Sequence, residues 1–448
     1  MTRPVTPCLT LIGGLLLPLA SLAAQSRPFT IADAVATTLA SHPAMAAADA
    51  ARAGTRAGVR QARASWWPSL TVDGSATRFE EPMIVAPLHG FDPTRPPVFD
   101  QSLWQANLSV AWSLFDPQRG ARIDRARAEE SVSGATERLT REGLIARAVV
   151  GFLEAATARE MMTFHDGRVA ALETERNRAR QFVREGRTAR LAEIRADAAL
   201  AAAQADRIAA KGRLDASLQV LERLVGLPPG SLADRALAGA AVVGADTSLA
   251  RSAVLAAVEA GNPELARRAG RVAALRAARA DARGAWLPQL RVVGRVVQYG
   301  SGKGSEAAEW QTGVAVSYPL FTGGARSAAS DRASAELAGA EAELAAARRD
   351  LGDAVDRALT GWTAARGRVA ALRAAEAQAA EVARMERLAL DQGAGVQTDY
   401  LAAQADLLRA RAALAEARAT VVAARVELAR LAGELSLEWL GAHLESDS

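Results

Sequence analysis

Two stretches decide the reading: SHPAMAAADAARAGTRAGVRQARASWWPSL at residues 41–70 and GNPELARRAGRVAALRAARADARGAWLPQL at residues 261–290. Laid on each other without a gap, His42-Pro43 meets Asn262-Pro263, Arg56 meets Arg276, and Ala62-Arg63 meets Ala282-Arg283. Trp66 then meets Trp286, Pro68 meets Pro288, and Leu70 meets Leu290. A chain this rich in alanine and arginine gives chance matches of those types, but rarely sets two prolines and a tryptophan in one register as well. The repeat continues outward. Leu114-Phe115-Asp116-Pro117-Gln118-Arg119-Gly120-Ala121-Arg122 is similar to Leu320-Phe321-Thr322-Gly323-Gly324-Ala325-Arg326, and Arg184-Glu185-Gly186-Arg187 falls where Asp391-Gln392-Gly393-Ala394 falls in the second copy. The period far exceeds that of solenoid repeats and points to an internal duplication. Each half reads as helix, two strands, very long helix, Gly-marked turn and return helix.

Downstream of each Pro, apolar and polar residues alternate with period two, which places them on opposite faces of a strand. The first segment alternates Leu70, Val72, Gly74 and Ala76 with Ser69, Thr71, Asp73, Ser75 and Thr77. The second alternates Trp104, Ala106, Leu108, Val110, Trp112 and Leu114 with Gln105, Asn107, Ser109 and Ser113. In the second half Leu290, Val292, Gly294 and Val296 alternate with Gln289, Arg291 and Arg295, and Trp310, Thr312, Val314, Val316, Tyr318 and Leu320 with Gln311, Gly313, Ala315 and Ser317. The strands are expected at about 69–79, 103–114, 289–299 and 309–320. About ten residues is the length a tilted strand needs to cross a bilayer, and an apolar face with Trp near its ends is the pattern of a membrane barrel. A half-buried sheet in a soluble domain gives the same pattern strand by strand; four strands in two matched pairs favour the barrel. Trp104, Leu108, Val110, Trp112, Val292, Trp310, Val314 and Val316 are the expected lipid-facing residues. Four strands cannot close a barrel, because an open edge in lipid leaves backbone groups unpaired at several kcal/mol each. The wall must therefore be pooled among subunits, and the arithmetic alone permits two, three or four. The connections at 80–101, with five prolines, and 298–309, rich in Gly and Ser, read as exposed loops.

No proline occurs between Pro117 and Pro228, and none after Pro319. Residues 122–184 and 326–390 are thus expected as helices of roughly 90–100 Å. Leu359, Trp362, Val369, Leu372, Ala379, Val382 and Leu388 follow a coiled-coil-like spacing. Gly186 and Gly393 permit chain reversal, and return helices follow at about 189–225 and 396–431. The expected organisation is 25–226 for the first unit (helical hairpin 121–226), 227–247 for a linker, 248–433 for the second unit (hairpin 325–433) and 434–448 for a C-terminal tail.

Of the 448 residues, half are hydrophobic but only 4% aromatic. Alanine supplies much of the apolar content, which suits long, closely packed helices. The formal charge of +4 rests on arginine, since Lys211 and Lys303 are the only lysines. These arginines alternate with acids, as in Arg122-Ile123-Asp124-Arg125 and Arg384-Met385-Glu386-Arg387, so no nucleic-acid surface is expected. Residues 1–24 read as a secretory signal peptide: Arg3, an apolar run over 9–20, then Ser21-Leu22-Ala23. Cys8, the only cysteine, lies inside it, so neither disulfide nor lipid anchor is expected. After residue 24 no apolar run is long enough for a spanning helix. His42, His89, His165 and His443 have no metal-ligand spacing. Gly300-Ser301-Gly302-Lys303-Gly304-Ser305 lacks the spacing of a phosphate loop. No enzyme chemistry and no cofactor are expected.

The duplicated helix-Pro-strand units (Trp67-Pro68, Leu287-Pro288), Leu-Phe-Asp-Pro and Pro-Leu-Phe-Thr-Gly-Gly before the long helices, and the Gly-marked hairpin tips together resemble the outer-membrane factors, the TolC-like efflux channels. The resemblance covers essentially the whole mature chain. It implies a mixed α and β membrane protein, a homotrimer whose four strands per chain build a twelve-stranded β-barrel in outer-membrane lipid, continued by a periplasmic α-helical barrel. It further implies passive conduction in a tripartite efflux or type I secretion system, with a periplasmic adaptor and an inner-membrane transporter of RND or ABC type. Gly186, Arg187, Gly393 and Gly395 are then the adaptor-docking tips. Asp399, in Gly393-Ala394-Gly395-Val396-Gln397-Thr398-Asp399-Tyr400-Leu401, matches a gate aspartate of the periplasmic mouth. A second aspartate found three residues later in some members is here Ala402, which implies a less acidic constriction. A periplasmic adaptor is the alternative, since it too is exported and carries a helical hairpin, but it would have one hairpin and β-rich soluble domains.

Overall fold

A computed structural model describes residues 27–85, 93–94, 96, 98–243, 249–302, 304 and 306–447. The expected signal peptide with Cys8, as well as His89, Lys303 and Ser305, lies outside the described residues. The first half contains α1 (Ile31–Ser41), α2 (Pro43–Ala64), β1 (Ser69–Arg78), β2 (Met83–Ile84), β3 (Val98–Phe99), β4 (Ser102–Phe115), α3 (Arg119–Arg184) and α4 (Arg190–Val225). After β5 (Gly239–Val242), the second half runs α5 (Arg251–Gly261), α6 (Pro263–Gly284), β6 (Gln289–Ser301), β7 (Glu306–Ser317), α7 (Ala325–Asp391) and α8 (Gln397–Ala432), and the chain ends with α9 (Leu437–His443) and β8 (Leu444–Asp447). The matched helices are 11, 22, 66 and 36 residues in the first half and 11, 22, 67 and 36 in the second, so the duplication holds at the level of whole elements.

The repeated His/Asn-Pro pairs explain the junction before α2 and α6. His42 Nδ1 accepts from the Ala44 N–H and Asn262 Oδ1 from those of Glu264 and Leu265, while the proline occupies the first helical turn, where an N–H would go unpaired. The return helix of each half docks on this junction. Ser41 Oγ donates to the Val225 carbonyl at 2.7 Å, and Asn262 Nδ2 to that of Leu431 at 2.8 Å. A Cβ at Gly433 would overlap the Gly261 carbonyl, so both glycines are required by close approach.

The four long strands form one antiparallel sheet in the order β1-β4-β6-β7, so the halves join through β4 and β6. Two strand ends differ from the sequence reading. The last strand is 306–317 instead of 309–320, because Pro319 has no N–H for a ladder and stops it short of Tyr318 and Leu320. The turn expected over 298–309 is taken up mostly by strand: Gln298 pairs with Ala308 and Gly300 with Glu306. Gly300 sits directly against the Trp104 ring, where any Cβ would collide. The longer connection is not entirely loop either, since β2 pairs with β3 and Phe99 is fully buried.

The main core lies midway along α3, where Ile145, Val149 and Phe152 pack with Ile31 and Val35 of α1, Leu221 and Val225 of α4, Val422 and Val426 of α8, and Trp439 and Leu440 of α9. Residues expected as linker and tail thus carry structure. β5 pairs with β8, Phe29 bridges to Leu237, and α9 buries its tryptophan in the core. The expected seam of α7 also shifts. Trp362 and Ala383 are buried, but Val382 and Leu388 are exposed, because α8 covers only one stripe.

Candidate functional site: a two-faced sheet and paired hairpin tips

Register decides what the sheet presents. Val72 pairs with Leu108, Leu108 with Val296 and Val296 with Trp310; Trp112 pairs with Val292 and Val292 with Val314. Directly paired residues share a face. The eight residues Trp104, Leu108, Val110, Trp112, Val292, Trp310, Val314 and Val316 therefore all lie on one face, drawn from three strands of both halves. Trp310, Val314 and Val316 are 70%, 64% and 69% exposed, which is the opposite of what water selects for large apolar side chains in a row. The other face pairs Asp73 with Asn107 and Ser75 with Gln105, and carries Arg291, Arg295 and Gln311; Val293 and Val297 are apolar exceptions on β6. Asn107 ties this face together, donating to Asp73 at 3.3 Å and accepting from Arg295 Nε at 2.8 Å.

At the foot of the sheet two arginines play matched parts that sequence spacing missed. Ala121-Arg122 aligns with Ala325-Arg326, but the structural counterpart of Arg326 is Arg119. Arg119 lies 4.3 Å over the Trp66 ring and Arg326 4.5 Å over Trp286. Each also donates to a carbonyl six residues earlier, Ser113 and Leu320 respectively. The signal in the sequence was a Trp ending one helix and an Arg opening the next, in both halves.

At the far end, both long helices finish in the same hydrogen-bond motif. Gly186 (φ +72°) donates to the Val183 carbonyl and Arg187 to Phe182; Gly393 (φ +73°) donates to Leu390 and Ala394 to Ala389. These are Schellman caps, whose left-handed residue must be glycine or pay steric strain. Arg187 rests 4.3 Å over the Phe182 ring. A Cβ at Gly395 would press on the backbone of Ala389 and Leu390. The two tips are neighbours: Arg178 of α3 forms an ion pair with Asp391 and donates to the Leu390 carbonyl at 2.8 Å, and Gln397 donates to Glu175 at 3.0 Å. None of these three cross-links is visible in the sequence, because about two hundred residues separate the partners. Asp399 sits in the first turn of α8, exposed, beside a buried Tyr400 whose hydroxyl accepts from Arg387.

Higher on the helical wall, Glu142 of α3 is buried, and loss of hydration pushes its carboxyl up to about 7 against the opposing pull of Arg138 and Arg430. Among the described residues no cluster of His, Cys, Asp and Glu is placed to hold a metal ion, and no helix is long and apolar enough to cross a membrane.

Comparison with known proteins places the geometry. The family model described as "Outer membrane efflux protein" matches residues 34–227 and 254–434. No curated protein sequence matches. Among solved structures, the outer membrane protein VceC of Vibrio cholerae superposes with a TM-score of 0.73 at 18% identity, over 90% of this chain and 96% of that one. The CmeC outer membrane channel of Campylobacter jejuni gives 0.75 at 14% identity, over 92% and 88%. The open state of the MtrE outer membrane channel of Neisseria gonorrhoeae gives 0.70 at 20% identity, over 90% and 88%.

Proposed function

The chain belongs to the outer membrane efflux protein family, and from that premise we propose that three copies close one twelve-stranded barrel and one helical duct through which solute leaves the cell without chemistry. Its place is the outer membrane, with the long helices extending into the periplasm. The observation that carries the proposal is the sheet: one face is an exposed apolar wall, and β1 and β7 each pair on one side only. Such edges are untenable in lipid unless β1 of one chain meets β7 of the next. The apolar face then meets acyl chains and the polar face lines the lumen. Gly186, Arg187, Gly393 and Gly395 form the docking surface for a periplasmic adaptor, which couples the duct to an inner-membrane transporter of RND or ABC type, in efflux or type I secretion. Asp399 lies at the periplasmic mouth, and the Arg178–Asp391 and Glu175–Gln397 links hold the two hairpins of a chain side by side in this conformation. The adaptor alternative finds no support, since the family match spans both halves.

The test is extraction and conductance. The protein should require detergent, migrate as a heat-sensitive trimer, and give ion-conducting steps in a planar bilayer. A water-soluble monomer without detergent would overturn the proposal.

A further inference from the structure

Below the strands of the first half, a cleft of about 430 Å³ opens between α2 and α3. Its walls are Trp66, Trp67, Trp112 and Ile123, and its charged members are Arg63 and Arg127; no acidic residue lines it. Trp112 belongs to the apolar face of β4, so the cleft opens toward the side on which the sheet meets lipid. The aromatic wall is fixed in place: the Trp112 indole N–H donates to the Trp66 carbonyl at 2.9 Å, and Arg119 stacks on the Trp66 ring. Trp67 is nonetheless 76% exposed. Arg127 gives one hydrogen bond to Asp124 at 2.8 Å, leaving most of its five N–H groups for another acceptor.

The second half supplies an internal comparison. Arg283 and Trp286 persist there, but Leu287 stands in place of Trp67. At the same distance beyond the stacking arginine, Ser330 and Ser334 stand in place of Ile123 and Arg127. The duplication thus left two corners of one backbone plan, and only the first pairs two arginines with three tryptophans.

We propose that this corner binds the phosphodiester headgroup of a membrane phospholipid in the leaflet at the foot of the barrel. This rests on the reading above that the apolar face meets lipid. Arg63 stands five residues before Pro68, roughly 8 Å below the strands at helical rise, within the interfacial layer. Guanidinium groups match phosphate oxygens in planar, two-pronged geometry. Tryptophan favours the interface, with its ring against glycerol and the first methylenes. Arg63 and Arg127 hold the phosphate, and the three tryptophans with Ile123 hold the chain ends nearest to it.

The test is native mass spectrometry of the purified oligomer in mild detergent, offered dioleoyl phosphatidylglycerol, the matching diacylglycerol, or inorganic phosphate. The phospholipid should stay bound, the diacylglycerol should not, and phosphate alone should fail to displace the lipid. Retention should fall roughly fivefold for each arginine removed in Arg63→Gln and Arg127→Gln. Arg283→Gln should leave it unchanged, and Lys at both positions, which keeps the charge but not the two-pronged fit, should restore only part of it. Undiminished retention in the Arg63→Gln/Arg127→Gln double variant, equal retention of diacylglycerol, or displacement by phosphate would each overturn the lipid site. In those cases a detergent-dependent, heat-sensitive oligomer leaves the channel reading standing; a wild type that needs no detergent removes both.

Discussion

At the scale of single residues, Glu142 makes the clearest demand on pH. Its carboxyl is raised from the ordinary 4.5 to about 7 by burial. The folded state therefore holds its proton more tightly than the unfolded chain does. Its contribution is fully present below about 4.5 and is lost as pH rises toward about 7. Glu142→Gln should flatten the dependence of thermal unfolding on pH across that window and raise the midpoint near neutrality; an unchanged profile on calorimetry would show that the carboxylate is hydrated or paired in the oligomer. Gly186 and Gly393 make a demand of another kind. Leucine at either φ of about +70° costs roughly 1–2 kcal/mol of local strain and reshapes the tip. Both variants should reach the membrane at normal levels on immunoblots yet fail to export; normal export would argue against docking at the tips. The glycines were legible in the sequence as turn residues. Glu142 was not, because a glutamate in a helix reads as solvated until its neighbours are placed.

At the scale of elements, the strands show how far alternation goes. Period two correctly set which residues share a face, since that follows from backbone geometry within one strand. It misjudged where strands end, because Tyr318 and Leu320 continue the apolar pattern past the point where Pro319 ends the ladder. The faces can be tested by adjacent substitutions. Leu108→Arg places a charge on the apolar face and should cost about 2–4 kcal/mol near the bilayer midplane. Gln105→Arg, on the polar face of the same strand, should be tolerated. Membrane fractionation and trimer yield distinguish them: equal yields would mean that the apolar face does not meet lipid. The helices follow similar logic. The absence of proline set their lengths to within a few residues, yet the α7 seam held Ala383 and not Val382 or Leu388. Helical spacing names candidate stripes; only the packed partner selects one.

At the scale of the whole molecule, each half repeats one plan, and the two are welded through β4–β6 and through the core around Phe152 and Trp439. That core recruits both segments that looked like connections, because β5 and β8 are far apart in sequence and neither shows periodicity long enough to stand out. Exposed Ile208, Val382 and Leu388 on the helices, like the free sides of β1 and β7, mark surfaces that one chain leaves uncovered. The sequence by itself determined the duplication, the alternating strands, the proline-free helices and the glycine reversals, since each is a short-range property of backbone and side-chain pattern. Tertiary structure decided the partners: β4 against β6, Arg119 under Trp66, Arg178 on Asp391, Glu142 out of water, and the end of the chain in the core. Those contacts join residues tens to hundreds of positions apart, and their energies depend on register and burial that no local pattern contains.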